Sequence, residues 1–277
     1  MKDALGDRIK SQYESRSRTA LLRRCYTIIR VDGKAFHSYC RGLERPFDDG
    51  LMEDMDATAA YLCKNIMGAK FAFIQSDEIS ILMTDFEEVS TSSWFDSDVQ
   101  KVCSVSASMA TSKFNELRWK RSLKIMEDIR RPDELYLNFD DMKLAEFDSR
   151  VFQIADRAEV LNYFLWRQRD TTRNSISSVA QSLYSHKELH AKNSDQKQEM
   201  IFQKGINWNN YAPRYKRGRA VVKEVYEKPA EKGGKSTSTT RSRWVVSEVP
   251  IFTQEKGFLS DMVPLLEVRE KQQTEVA

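Results

Sequence analysis

The sequence predicts an α+β fold: a ferredoxin-like antiparallel sheet with flanking helices, followed by a C-terminal helical and basic extension. Three observations carry that expectation. Apolar runs and helical periodicities follow one another in the order strand, helix, strand, strand, helix, strand. The second and third strands are separated by Gln75-Ser76-Asp77-Glu78, a connection with the length and polarity of a hairpin turn. Beyond Arg157 the chain changes to long helical stretches and clustered basic residues. In the split βαβ arrangement that this order implies, the first and third strands lie side by side at the centre of the sheet.

The polar opening segment, to about Leu22, is compatible with a helix, and residues 25–31 are β-branched and aromatic enough for a buried strand that Asp32-Gly33 ends. Over 51–67 the apolar positions Leu51, Met55, Ala59, Leu62, Cys63 and Ile66 recur at helical spacing, and Gly68 closes the helix. Residues 71–74 and 79–83 form the two hairpin strands, with Asp77 at the tip. A second helix is expected over 99–117 and a fourth strand over 147–154. Next come helical pieces at 160–165 and 176–184, with Trp166-Arg167-Gln168-Arg169-Asp170 between them, and a strongly basic stretch at 211–223. The Gly/Ser/Thr-rich segment 228–243 reads as a flexible loop, 244–252 as strand-like, and the charged C-terminus as frayed. Two regions result: 1–155, and 156–277, helical and basic and packed with the first as one unit.

At 277 residues the chain is long enough to bury a substantial core. With 44 Lys+Arg against 41 Asp+Glu, the net charge of +3 neither demands nor excludes a nucleic-acid partner. No run approaches the roughly 18 apolar residues of a membrane span, and the first residues lack the apolar core of a signal peptide. A soluble, cytoplasmic protein with no membrane partner is expected. Cys25, Cys40, Cys63 and Cys103 show no Cys-x-x-Cys spacing, which argues against a zinc knuckle or redox pair and for reduced, small hydrophobes.

If the first and third strands are neighbours, Asp32 and Asp77 share one end of the sheet. The turn Asp32-Gly33-Lys34-Ala35-Phe36-His37 offers a carboxylate, a glycine that permits close approach, and free amides that can cradle phosphates. Two carboxylates can bridge a pair of divalent cations about 3.5–4 Å apart, the usual geometry of phosphoryl and nucleotidyl transfer. Magnesium suits an all-oxygen shell completed by phosphates and water. Each turn alone is ordinary, because Asp-Gly after a strand and Ser-Asp-Glu in a hairpin are common sequences; on spacing alone the structural and catalytic readings stand even.

Further motifs decide between them. Arg30-Val31-Asp32-Gly33-Lys34-Ala35-Phe36-His37, Arg45-Pro46-Phe47-Asp48, Gln75-Ser76-Asp77-Glu78, Phe147-Asp148-Ser149-Arg150-Val151, the block from Tyr163 to Asp170, and Asn207-Trp208-Asn209-Asn210-Tyr211 with Tyr215-Lys216-Arg217-Gly218 occur in order. Together they resemble the signature of the tRNA-histidine guanylyltransferase family over roughly residues 24–222. The resemblance implies a palm-type catalytic domain, similar to that of polymerases but working in the 3′-to-5′ direction. It implies that Asp32, the Gly33 carbonyl and Asp77 ligate two Mg²⁺ ions. By the same carry-over the segment from Asp32 to His37 (Gly33, Lys34, Ala35 and Phe36 between them), with Arg30, Arg45, Asp48, Ser76 and Asp77, binds the substrate GTP or ATP. The implied reaction activates the 5′ end of a tRNA with a triphosphate and joins an incoming nucleotide to it; a homotetramer is also implied.

One departure stands out: enzymes that add guanosine to histidine tRNA carry a His-Ile-Asn stretch where this chain has Thr172-Arg173-Asn174-Ser175. That version resembles the guanylyltransferase-like, 3′-5′ polymerase members, which repair truncated tRNA 5′ ends by templated pairing. A dedicated histidine-tRNA enzyme is the alternative, and a non-catalytic RNA-binding module or a nucleotide cyclase stands behind it. Candidate RNA contacts are Arg167, Arg173, Asn174, Arg214, Lys216 and Arg217, the last three beside Tyr211 and Tyr215. Arg118, Lys120, Arg121, Arg130 and Arg131 form a second basic group, plausible for the acceptor stem and equally ordinary as surface. His186 and His190 read as a solvated helix face, and Gly233-Gly234-Lys235-Ser236 as part of a loop without the earlier glycine of a phosphate-binding motif.

Overall fold

A computed structural model describes residues 3–129, 143–232 and 235–266. Strand β1 (Tyr26–Gly33) is apolar without alternation because both of its faces are covered. Tyr26 and Ile28 join one core cluster and Ile29 and Val31 the other. Helix α1 (Ala4–Gln12) precedes it and the single turn α2 (Phe36–Tyr39) follows it. Helix α3 (Asp49–Asn65) is started by the Asp48 carboxylate, which accepts from the Leu51 amide, and it lays Met55, Ala59, Leu62 and Cys63 on the sheet. Strands β2 (Ala69–Gln75) and β3 (Glu78–Met83) form the expected hairpin, and α4 (Val99–Ile129) leads to β4 (Phe147–Ile154).

The sheet has the order β4-β1-β3-β2-β5-β6, with every neighbouring pair antiparallel. β1 and β3 are adjacent, as the split βαβ pattern requires. Strands β5 (Arg219–Lys232) and β6 (Lys235–Glu248) extend the same sheet, β5 pairing with β2 from Phe71 to Ile74. Helices α3 and α4 cover one face; α5 (Arg157–Leu183) and α9 (Lys256–Met262) cover the other through Val160, Phe164 and Leu259. The C-terminal half of α5 packs with α6 (His186–Leu189) and α7 (Ser194–Gln203) around Ile176, Val179, Leu189 and Ile201. Helix α8 (Pro213–Arg217) then leads into β5. No helix among the described residues is long and apolar enough to cross a membrane. No cysteine is disulfide-bonded.

Two expectations are corrected. Residues 228–232 and 235–243 are not a flexible loop. They belong to a long hairpin in which Tyr226 faces Arg241, Glu227 faces Thr240 and Lys228 faces Thr239. Their composition reads as a linker, but main-chain pairing across the two strands needs no apolar side chains. The two helical pieces after Arg157 are one helix, because the charged block between them is held by partners described below. Residues 130–131, 233–234 and 267–277 lie outside the described residues, so the readings placed on them cannot be followed further.

Gly68 ends the α3–β2 connection with φ of +82°, and a Cβ there would stand 2.3 Å from the Thr84 carbonyl oxygen. Gly68→Ala is therefore expected to cost about 1–3 kcal/mol, read as a lower urea midpoint at unchanged slope. An unchanged midpoint would mean that the connection adjusts freely.

Candidate active site

The two acidic turns meet. Asp32 of β1 is the register partner of Glu78, the residue after Asp77, and the Gly33 N–H donates to the Asp77 carbonyl at 3.1 Å. Ser76 has φ of +46°, which makes the β2–β3 connection a tight two-residue turn and holds Asp77 at its corner. Gly33 is required for another reason: a Cβ there would lie 2.2 Å from the ring of Phe36, which is buried against Tyr39, Phe114 and Phe147. Ala35, in the left-handed region at φ of +55°, turns the chain into α2. Phe36 thus serves the core, while exposed His37 lines the open side of the site.

The electrostatics are those of a site short of positive charge. Burial pushes the Asp77 carboxyl above the usual range, Ser76 and the main chain partly oppose this, and the charge of Asp32 raises it further. No ion pair reaches Asp77 among the described residues. Asp32 has only the Arg150 guanidinium, at 4.0 Å, and that group also lies 3.3 Å from Asp148. The donors available to a metal are two carboxylates and a main-chain carbonyl, all hard oxygens. That set fits magnesium, whose shell is otherwise filled by phosphate and water. Among the described residues no three or more His, Cys, Asp or Glu side chains gather to hold a metal, so any further ligands beyond the two carboxylates would have to be main-chain, phosphate or water oxygens.

Both turns open into a cleft of about 630 Å³, the size of a nucleotide-scale site. Its walls come from β1, the 43–48 loop, the β2–β3 turn, α5 and α8. Burial raises the Cys40 thiol, which lines it, to about 11, with Asp77 adding to the shift, so this cysteine is not a thiolate nucleophile.

A model described as tRNAHis guanylyltransferase matches residues 6–155, more than half of the chain. The chain belongs to that family. It is a nucleotidyltransferase that acts in the 3′-to-5′ direction on the 5′ end of tRNA. A solved bacterial tRNA(His) guanylyltransferase-like protein in complex with ATP is 39% identical, has a TM-score of 0.77, and covers 95% of this chain and 100% of its own. The tRNA(His) guanylyltransferase structure from Saccharomyces cerevisiae is 28% identical with a TM-score of 0.61, covering 77% of this chain and 91% of its own. The probable tRNA(His) guanylyltransferase of Dictyostelium discoideum is 27% identical over 250 residues, 84% of this chain and 88% of that protein.

Within this guanylyltransferase-family frame, the remaining candidate residues fall into three groups. Arg45, Asp48, Ser76, Asn174 and Arg214 line the cleft with Asp32, His37 and Asp77. The Asp48 carboxylate, however, already accepts from the amides of Leu51 at 2.7 Å and Glu44 at 3.2 Å, so its first duty is to start α3 and order the 43–48 loop. Lys34 and Arg30 stand beside the cleft: Lys34 is exposed and paired with Glu146, and Arg30 is largely buried, with its guanidinium 3.9 Å from Glu78 and its Nε without a partner. Arg173 and Arg217 are accessible, Arg173 leaning on Asp170 at 2.8 Å.

Arg167 and Lys216 are already engaged within the protein. Arg167 lines the cleft but is only 4% exposed and grips Glu78 with both ends of its fork, and Lys216 is buried, with its ammonium on the Asn209 carbonyl over the Trp208 ring. Arg118 and Arg121 of the second basic group are likewise committed to Asp54. The residues that spacing overlooked are Gln75, Glu78, Asp170 and Thr171, which tie the metal-side turn to α5. Gln75 and Glu78, inside the Gln-Ser-Asp-Glu motif, and Asp170, at the end of the Tyr163 block, carried a sequence signal; Thr171 did not.

Proposed function

We propose that this chain extends truncated tRNA 5′ ends by template-directed 3′-to-5′ nucleotide addition, on a palm-type site at Asp32 and Asp77. The observation that carries the reading is the convergence of these two carboxylates, from turns 45 residues apart in sequence, at the mouth of one nucleotide-sized cleft. Asp32, Asp77 and the Gly33 carbonyl are the groups that would hold magnesium; when bound, the metal neutralises phosphate charge and makes the attacking hydroxyl more acidic. GTP and ATP are the nucleotides, in keeping with the ATP and GTP complexes of the bacterial relatives.

The chemistry balances in two steps. The tRNA 5′-phosphate attacks the α-phosphate of a nucleoside triphosphate and pyrophosphate leaves. The 3′-hydroxyl of the incoming nucleotide then attacks the activated 5′-phosphate and a nucleoside monophosphate leaves. In both, Ala35 to His37 supply amides and Lys34 a cationic side chain beside the phosphates, and the cleft walls fix the base so that the reacting atoms are aligned. The test is incubation with magnesium, labelled triphosphate and tRNA lacking its first nucleotide. A product one nucleotide longer at its 5′ end supports the reading; recovery of unchanged tRNA contradicts it.

Thr172-Arg173-Asn174-Ser175 favours this over a dedicated histidine-tRNA guanylyltransferase, because the chain lacks the His-Ile-Asn stretch of those enzymes. Arg173, Asn174, Arg214 and Arg217 are the proposed tRNA contacts around the cleft mouth. Arg217→Glu is expected to weaken tRNA binding at all sequences and to lower the slope of log K against log salt by about 1 or more. An unchanged slope would make this residue ordinary surface. The chain is proposed to work as a homotetramer, which sedimentation at working concentration reads directly.

A further inference from the structure

The turn that carries Asp77 is held from both sides by one helix. Its flanking residues, Gln75 and Glu78, are register partners at the end of the β2–β3 ladder, and both are buried. The Glu78 carboxylate accepts from Arg167 Nε at 2.8 Å and from Arg167 Nη2 at 2.7 Å. The Gln75 side-chain oxygen accepts from the Thr171 hydroxyl, and Gln75 stands near enough to the Asp170 carboxylate to help hold its pKa below the usual range. Arg167 and Thr171 are four residues apart on α5 and so lie one above the other on one helix face.

Asp77 itself is held lightly by comparison. Its contacts are local, to Ser76 and the main chain, and its carboxylate has no cation among the described residues. Arg167, in contrast, is clamped: Asp170 stands 3.2 Å from its Nη2 and the Trp166 ring 4.3 Å from its guanidinium carbon. A buried ion pair is weak as a stabiliser compared with apolar packing of the same volume, whereas a two-point guanidinium–carboxylate contact fixes orientation well. Metal ligands need their supporting groups fixed to within about 0.5 Å. The same stretch of α5 continues along the cleft wall through Asp170, Asn174 and Ser178.

We propose that Arg167 and Thr171 are positioning residues for Asp77: by gripping Glu78 and Gln75 on either side of the turn, they set the direction in which the Asp77 carboxylate faces Asp32. The inference rests on the reading of Asp32 and Asp77 as the metal-holding pair, and it assigns to α5 the task of keeping that pair in register. Side chains that read as RNA-contacting or as plain helix interior thereby act on the metal site through the strand ends.

The test uses full-length protein, with Mn²⁺ as the probe, followed by electron paramagnetic resonance titration, and with Tm recorded in parallel in chelator. Thr171→Val keeps the shape and removes the hydroxyl; Arg167→Lys keeps the charge and removes the fork. Each is expected to weaken Mn²⁺ binding by about tenfold or more, the scale of lost outer-shell support. Thr171→Ser, which retains the hydroxyl, is expected to stay within about twofold of the parent. Turnover of Thr171→Val should recover as magnesium is raised, a response that loss of stability alone does not produce. Mn²⁺ affinity unchanged in both Thr171→Val and Arg167→Lys, whatever the Tm does, would overturn the proposal and leave these contacts as fold stabilisers. If the parent protein binds no Mn²⁺, the metal assignment of Asp32 and Asp77 fails first, and the proposal with it.

Discussion

Asp32→Ala and Asp77→Ala are each expected to reduce nucleotide addition by well over the roughly 10–100-fold that a lost outer-shell partner costs a metal site. Each removes one of the two side-chain carboxylates proposed to hold the metal where the acidic turns meet. Stability should move differently. The Asp77 carboxyl binds its proton more tightly in the folded protein than in the unfolded chain, because of burial and then Asp32. A carboxyl whose folded pKa is raised costs stability as pH rises from its unfolded value through its folded one, so at neutral pH the metal-free protein carries that penalty. Asp77→Asn is accordingly expected to keep or raise the Tm in chelator, and to flatten the fall of Tm on going from mildly acidic to neutral pH. Activity near the parent level in either alanine variant would remove these residues from the chemistry. A large drop in chelator Tm would instead give Asp77 a structural task.

The largest stability effect is expected from Arg167→Ala. Both partners of the Arg167–Glu78 pair are nearly inaccessible, with side-chain exposures of 5% and 9%, and the alanine variant leaves a buried carboxylate with the Ser80 hydroxyl at 3.1 Å and Arg30 at 3.9 Å. Breaking such a pair from one side costs about 3–5 kcal/mol, a Tm loss on the order of 10 °C for a chain of this size. Removing both charges together, as Arg167→Met with Glu78→Gln, is expected to cost less, since the buried carboxylate is then gone and the remaining cost is that of Arg30 facing a neutral amide. Calorimetry of the two variants separates these outcomes. Equal losses would mean that Arg167 matters for its packed volume, and no loss in either would mean that water reaches Glu78.

The central sheet was legible in the sequence because its strands are apolar on both faces and end in strong turn signals. Asp32-Gly33, Ser76-Asp77 and Gly68 punctuate the chain where the structure turns, and the order of elements then forces β1 against β3. The acidic pair follows from that adjacency alone. Of strands β5 and β6 only the end of β6 from Trp244 was legible: the start of β5 lies in a stretch that reads as merely basic, and the Ser, Thr, Lys and Glu beyond it satisfy a paired backbone as well as a linker does. The fate of Arg167 and Lys216 was not legible either. A basic residue in a polar block reads as exposed until its partner is known, and the partner of Arg167 lies 89 residues away on strand β3. The same distance hid Gln75 and Thr171 as a pair, 96 residues apart. Local patterns report which face a residue occupies; they do not report which distant charge meets it there.

The measurement closest to the central claim is the sequence of the added nucleotide. Truncated tRNAs carrying each of the four bases opposite the vacant 5′ position are offered each triphosphate separately with magnesium, and the products are sequenced. A correct pair holds the incoming 3′-hydroxyl in line with the activated phosphate, whereas a mismatch displaces it and loses that alignment. The account predicts that the nucleotide added changes with the opposing base according to Watson–Crick pairing, across tRNAs of different identity. Guanosine added whatever the opposing base, and only to histidine tRNA, would contradict it and make this chain a dedicated histidine-tRNA guanylyltransferase.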